Sequence, residues 1–119
     1  MIIHDHFDAL LTETLTTGTT GGETLESEII DLTETGASEA SQLVLTAPAA
    51  DQSLTLKVLA CAEKDGEFVE ALSFTTEADT DFEYRERVPL HLPQYIKLQV
   101  VTDGTAPSEP VAVTLRLAV

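Results

Sequence analysis

Positions 4 to 8 hold two imidazoles and two carboxylates, His4, Asp5, His6 and Asp8. On an extended segment, residues two apart point the same way, so His4 and His6 could share a metal, with a carboxylate completing the set. A closed zinc site needs four fixed ligands, and side chains in a terminal arm are ordinarily solvated, so no metal is expected there. Asp79, Asp81 and Glu83 alternate similarly and offer the oxygen ligands that calcium takes. The glycine and terminal glutamate of a helix-loop-helix calcium loop are lacking, which favours a solvated acidic loop.

Nucleophilic chemistry finds little support. Cys61 has no histidine or basic neighbour in sequence to lower its pKa, and it falls on an alternating strand, where a small packing residue is the simpler reading. His91 stands between Leu90 and Leu92 and is assigned no catalytic role. Arg85 and Arg87 share one face of a strand, opposite Tyr84 and Val88. With Glu83 they could form a cross-strand ion-pair ladder, or they could dock an acidic partner. Neither a catalytic residue nor a cofactor is therefore expected, and the chain is read as non-enzymatic.

The elements that position these residues follow from hydrophobic patterning. The 119 residues, 43% of them apolar, suffice for one domain with one core, so a net charge of −15 does not imply disorder. Residues 1–56 carry ten Asp or Glu and no Lys or Arg; all six cations come later. Such a field repels phosphate polyanions, which excludes nucleic acid as the expected partner and favours a basic protein surface. Acidic residues also keep a β-protein soluble and discourage edge pairing. No apolar run approaches a membrane span, and the first residues lack a signal peptide's pattern, so a soluble protein made in the cytoplasm, without a membrane partner, is expected. The lone Cys61 cannot form an intrachain disulfide.

Residues 1–9 read as an arm, apolar at Ile2, Ile3 and Phe7, ahead of a domain over 10–119. Strands are expected over 10–17, 27–32, 42–47, 53–62, 68–76, 82–92, 95–102 and 111–119, because hydrophobic and polar residues alternate or cluster there between glycine, proline and acidic breaks. Leu54, Leu56, Val58 and Ala60 should share one face, as should Ile96, Leu98 and Val100. Asp65-Gly66 suits a two-residue hairpin, while Pro89 and Pro93 place part of their strand at an edge. About eight antiparallel strands without helices make an all-β sandwich of jelly-roll type, with an immunoglobulin-like sandwich as the alternative.

In order and spacing the chain resembles the cement, or decoration, proteins of tailed-phage capsids, of the Bordetella-phage cement protein type. The residues carrying the likeness are Ser27 to Leu32, Leu54 to Val58, the Asp65-Gly66 turn, Val88 to Leu98, and Val101 to Pro107 before an alternating final strand. The resemblance implies a non-enzymatic virion protein that binds the outer surface of the head and bridges major capsid proteins. It also implies a small homo-oligomer, a dimer or trimer. Contacts with capsid or sister subunits are then expected at Ile2, Ile3 and Phe7 of the arm and at Arg85 and Arg87. The excess of acid and the His4-Asp5-His6 arm depart from the family's pattern. The alternatives are a head-fibre, tail or carbohydrate-binding receptor module, and a cupin-like metalloenzyme. The few aromatics argue against a sugar platform, and three histidines, two of them in the arm, do not make a cupin metal site.

Overall fold

The structure is a computed structural model that describes residues 9–19, 21–32, 41–88, 93–102, 104 and 107–118. Nine strands run in order: β1 (Ala9–Thr16), β2 (Thr24–Glu26), β3 (Ile30–Asp31), β4 (Ser41–Ala47), β5 (Leu54–Cys61), β6 (Val69–Thr75), β7 (Phe82–Val88), β8 (Tyr95–Thr102) and β9 (Ala112–Ala118). One sheet has the order β1-β9-β4-β7; the other has β2-β8-β5-β6, with β3 also paired to β8. Every pairing is antiparallel. This interleaving, in which each sheet alternates early and late strands, is the double Greek key of a jelly roll.

The core follows strand parity. Leu54, Leu56, Val58 and Ala60 on β5 and Ile96, Leu98 and Val100 on β8 are each no more than 1% exposed. They face Leu43, Leu45, Val113, Leu115 and Leu117 of the other sheet in one cluster. At the open side between β6 and β7, Phe74 packs on Phe82 and Tyr84 with ring centroids 5.4 and 4.5 Å apart, closing the sandwich with tilted aromatic pairs.

Three buried threonines close strand ladders by the same device. Thr17, Thr76 and Thr102 donate their backbone N–H groups to the carbonyls of Val111, Leu54 and Glu23, each at 2.9 Å. In return, the N–H groups of Val111, Leu54 and Glu23 donate to the threonine hydroxyls at 3.0, 2.9 and 2.8 Å. A hydroxyl thus replaces a backbone carbonyl, so the chain can leave the ladder without stranding a buried N–H.

Two expectations need correction. Of the strand expected over 27–32 only Ile30–Asp31 is strand (β3), and a separate short strand, β2, precedes it at Thr24–Glu26. The Ser27 hydroxyl takes the N–H of Leu98 at 2.9 Å, and one extra residue enters between Glu26, opposite Gln99, and Ile30, opposite Ile96. That bulge switches the inward parity from Leu25 to Ile30 and leaves Ile29 40% exposed. The Asp65-Gly66 hairpin joins β5 to β6 as expected, but through residues 62–68 rather than a two-residue turn. Its turn is closed by Gly66 N–H on the Glu63 carbonyl at 3.0 Å. Gly66 does not adopt a positive φ; the position suits glycine because a Cβ would lie 2.4 Å from Cys61 Sγ. Of the strand expected over 82–92, Phe82–Val88 forms β7. His91 and the rest of that segment, 89–92, lie outside the described residues.

Replacing Thr76 with valine keeps the β-branched shape but removes the acceptor for the buried Leu54 N–H. Denaturant unfolding should show a loss of about 1–3 kcal/mol, and a change within error would show that the ladder end does not depend on the hydroxyl.

Candidate docking surface

Parity assigns the outer face of the four-stranded sheet to Thr12, Thr14 and Thr16 of β1, Ala112, Thr114 and Arg116 of β9, Gln42, Val44 and Thr46 of β4, and Glu83 and Arg85 of β7. Val44 stands opposite Arg116 on one side and Arg85 on the other. It is only 2% exposed yet lies outside the inter-sheet core. Arginine stems are apolar and lie along hydrocarbon while their guanidinium groups stay in water, which explains how a valine on an outer face can be flanked by two cations. Arg87 takes the β7 position opposite Gln42, two residues beyond Arg85.

Arg85 donates from Nε to Glu83 Oε1 at 2.8 Å, with a second contact from the same guanidinium at 2.8 Å, and reaches Gln42 Oε1 at 3.4 Å. The expected cross-strand ladder is thus an ion pair along one strand, with the cross-strand partner a neutral amide. Both ends of the pair are half exposed, so it contributes little to stability, about 0–1 kcal/mol. No ion pair joins Arg116 to another described residue. Two cations, and Arg87 beside them in register, therefore share a sheet whose one described outer-face carboxylate is Glu83.

On the outer face of the other sheet, both lysines are matched by glutamates of the same sheet. Lys97 Nζ lies 3.0 Å from Glu26 and 4.9 Å from the Phe68 ring centroid, Gln99 donates to Glu26 at 2.7 Å, and Lys57 pairs with Glu70 at 3.2 Å. The hydrogen bonds from Lys97 and Gln99 hold the Glu26 carboxyl below its ordinary range. Half-buried Leu59, Cys61, Tyr95 and Val101 occupy this face by parity. Cys61 is free and half-buried, which fits the packing role expected of it.

The acidic residues that could have bound calcium are engaged elsewhere. Asp81 Oδ1 accepts the Ala49 N–H at 2.8 Å, Glu83 holds Arg85, and Asp79 adopts a φ of 58° with its N–H on the Ala50 carbonyl. Asp79 also lines a cleft of about 250 Å³ with Asp51 and Glu109 at one end of the sandwich. There Asp51 accepts the Ser108 N–H at 3.0 Å, which holds its carboxyl below the usual value. The Asp81 and Asp51 carboxylates thus fix loops. No cluster of three potential metal ligands occurs among the described residues. The arm residues Ile2, Ile3, Phe7, His4 and His6 lie outside them.

No protein-family model matches the chain, and no curated protein matches it. Among solved structures it is similar to the PBSX exported protein XepA, with a TM-score of 0.66 and 14% identity over 89% of this chain. The chain spans 36% of that protein's length. It is also similar to PirA, with a TM-score of 0.54 and 13% identity over 89% of this chain and 92% of the other. At such identities the likeness is one of fold.

Tyr84 gives this description a spectroscopic handle. Burial, and then the hydrogen bond its hydroxyl donates to Glu86 and the Glu86 charge, push its phenol up to about 12 from 10.0. A raised folded pKa contributes stability in full below pH 10.0 and loses it as pH rises through about 12. Absorbance titration of Tyr84→Phe should lack a step near 12; loss of a step near 10 instead would contradict this environment.

Proposed function

We propose that the chain is a non-enzymatic structural protein of a tailed-phage particle, a cement protein on the outer surface of the head. It docks there as a homo-oligomer and stabilises contacts between major capsid proteins. The observation that carries this reading is the arginine-bearing outer face of the β1-β9-β4-β7 sheet. Arg85 and Arg116 flank a buried valine on a threonine-rich surface, in a chain of 21 acidic and six basic residues. The net charge favours a basic partner surface overall, but the cations gathered on this one face mark the side that would meet a carboxylate-bearing patch of the shell. The repulsive remainder faces solvent. Rigid strands carry the face, so binding orders little that was mobile beforehand.

The whole-chain resemblance to cement proteins supports the same reading. A protein that binds only the assembled lattice stabilises it by mass action, and many copies multiply the effect. Nucleic acid and membrane are not partners in this proposal, since the net charge of −15 opposes both phosphate and anionic lipid. The arm residues Ile2, Ile3 and Phe7 add apolar contacts to capsid or sister subunit, with Arg85 and Arg87 supplying the charged ones. The carbohydrate-binding alternative is weaker, because Phe74, Phe82 and Tyr84 are spent on closing the sandwich.

Charge reversal of Arg85 and Arg116 to glutamate should leave the fold intact and reduce occupancy on purified capsids by about tenfold or more, with a weaker salt dependence of what remains. Unchanged occupancy rejects this face as the docking surface. Deleting residues 1–8 should likewise leave a folded domain with weakened capsid binding, whereas full occupancy would remove the arm from the interface.

A further inference from the structure

The sandwich has four sheet edges, and three of them carry a device that discourages pairing with another chain. The β7 edge holds Glu83, Arg85, Glu86 and Arg87 within one strand. The β1 edge has Glu13 in register with buried Leu115, so a half-buried carboxylate points to the inner side. The third edge consists of β2 and β3, three and two residues long and separated by the bulge at Ser27. Short strands, bulges and charges, inward-pointing ones included, are how natural sheets blunt their edges.

β6 is different. Its own irregularity lies at its start, opposite Val58 and Leu59 in β5, next to Glu70; from Leu72 to Thr75 it is regular and uncharged. Thr76 N–H bonds the Leu54 carbonyl, so alternate residues Phe74 and Leu72 make the inward ladder bonds to β5. The N–H and C=O groups of Ser73 and Thr75 then point away from the sheet. On the inner side, Leu72 and Phe74 are only partly buried and join partly buried Phe82 and Tyr84 in a strip along this edge. Val69, at the strand's start, is 62% exposed.

We infer that β6 is a pairing edge for a second copy of this chain, in an isologous antiparallel dimer that joins the two β2-β8-β5-β6 sheets. Ser73 lies on the two-fold axis. In that register Leu72 of each copy stands opposite Phe74 of the other, which gives two reciprocal apolar pairs on the inner face. Charge selects the same arrangement. Glu70 falls opposite Thr76, and Glu77 opposite Val69, so no carboxylate meets another across the strands, although each chain carries −15. Glu70 is in addition held by Lys57 of its own chain. Pairing through β7 or β1 would instead bring charged strands or the half-buried Glu13 into a new interface.

This inference specifies the oligomer of the cement reading, and it is tested on purified full-length protein without capsids, so its failure leaves the docking face unaffected. Two variants separate backbone from charge. Ser73→Pro removes an N–H that the monomer does not use, a change tolerated on an edge strand. Ser73→Glu places carboxylates opposite each other across the axis, while Lys57, its cross-strand partner within the monomer, favours the fold. Sedimentation of the wild type up to about 100 µM should give a reversible species of twice the 12.8 kDa chain mass. Ser73→Glu should keep its β circular dichroism and associate at least about tenfold more weakly, and Ser73→Pro, if folded, should be monomeric. A monomeric or trimeric wild type overturns the inference, as does a dimer unaffected in a folded Ser73→Glu variant.

Discussion

β5 and β8 pair over the full length of both strands, Leu54 to Cys61 against Tyr95 to Thr102, and every second side chain along each is 1% exposed or less. A shift of one residue in this register would move Leu54, Leu56, Val58, Ile96, Leu98 and Val100 to solvent and bring Lys57, Lys97 and Gln99 into the core. Fully burying one such aliphatic side chain contributes about 1.5–3 kcal/mol, and burying an unpaired ammonium costs several. The register is therefore fixed by both terms at once. The remaining strands arrange themselves around this pair. β6 and the β2/β3 edge complete its sheet, and the other sheet covers the inner face with Leu43, Leu45, Val113, Leu115 and Leu117. The threonine hydroxyls at Thr17, Thr76 and Thr102 terminate the ladders without unpaired amides.

The same parity distributes charge. Apart from Glu13 and Glu86, which take inward positions on the edge strands β1 and β7, acidic residues of the described strands face outward, and the two outer faces differ in kind. On the five-stranded sheet, Lys57 and Lys97 are each matched by a glutamate of their own sheet. On the four-stranded sheet, Arg85 has Glu83 and Gln42, and Arg116 adds a cation that no described carboxylate neutralises. An acidic domain with one cation-bearing face has a charge asymmetry that can orient it in an external field. Long-range steering then weakens with salt over a Debye length of about 8 Å at physiological ionic strength.

Much of this was legible in sequence because alternation is a local signal. β5 and β8 were readable residue by residue, and the end of β4, at Pro48, is marked by proline. Four features were not legible. Ile29 and Ile30 are equally apolar neighbours, and only the Ser27 hydroxyl bond to Leu98 decides which of them enters the core. Leu43-Val44-Leu45 reads as an uninterrupted buried run. The outward position of Val44, between two arginines in register, depends on the pairing of β4 with β7 and β9, strands far away in sequence. For the candidate face, Arg85 and Arg87 were visible as a same-face pair, whereas Arg116 joins them only through the β9-β4-β7 pairing. Asp65-Gly66 did mark a turn, but the reason for the glycine is the approach of Cys61 Sγ, a packing constraint with no local trace.

Quantitative mass spectrometry of purified particles, giving the copy number of this chain relative to the major capsid protein, decides the virion role. A lattice-binding cement protein repeats with the shell, so a ratio of order one is expected. A few copies per particle would assign the chain to a fibre or tail instead, and its absence from particles would contradict the virion role altogether.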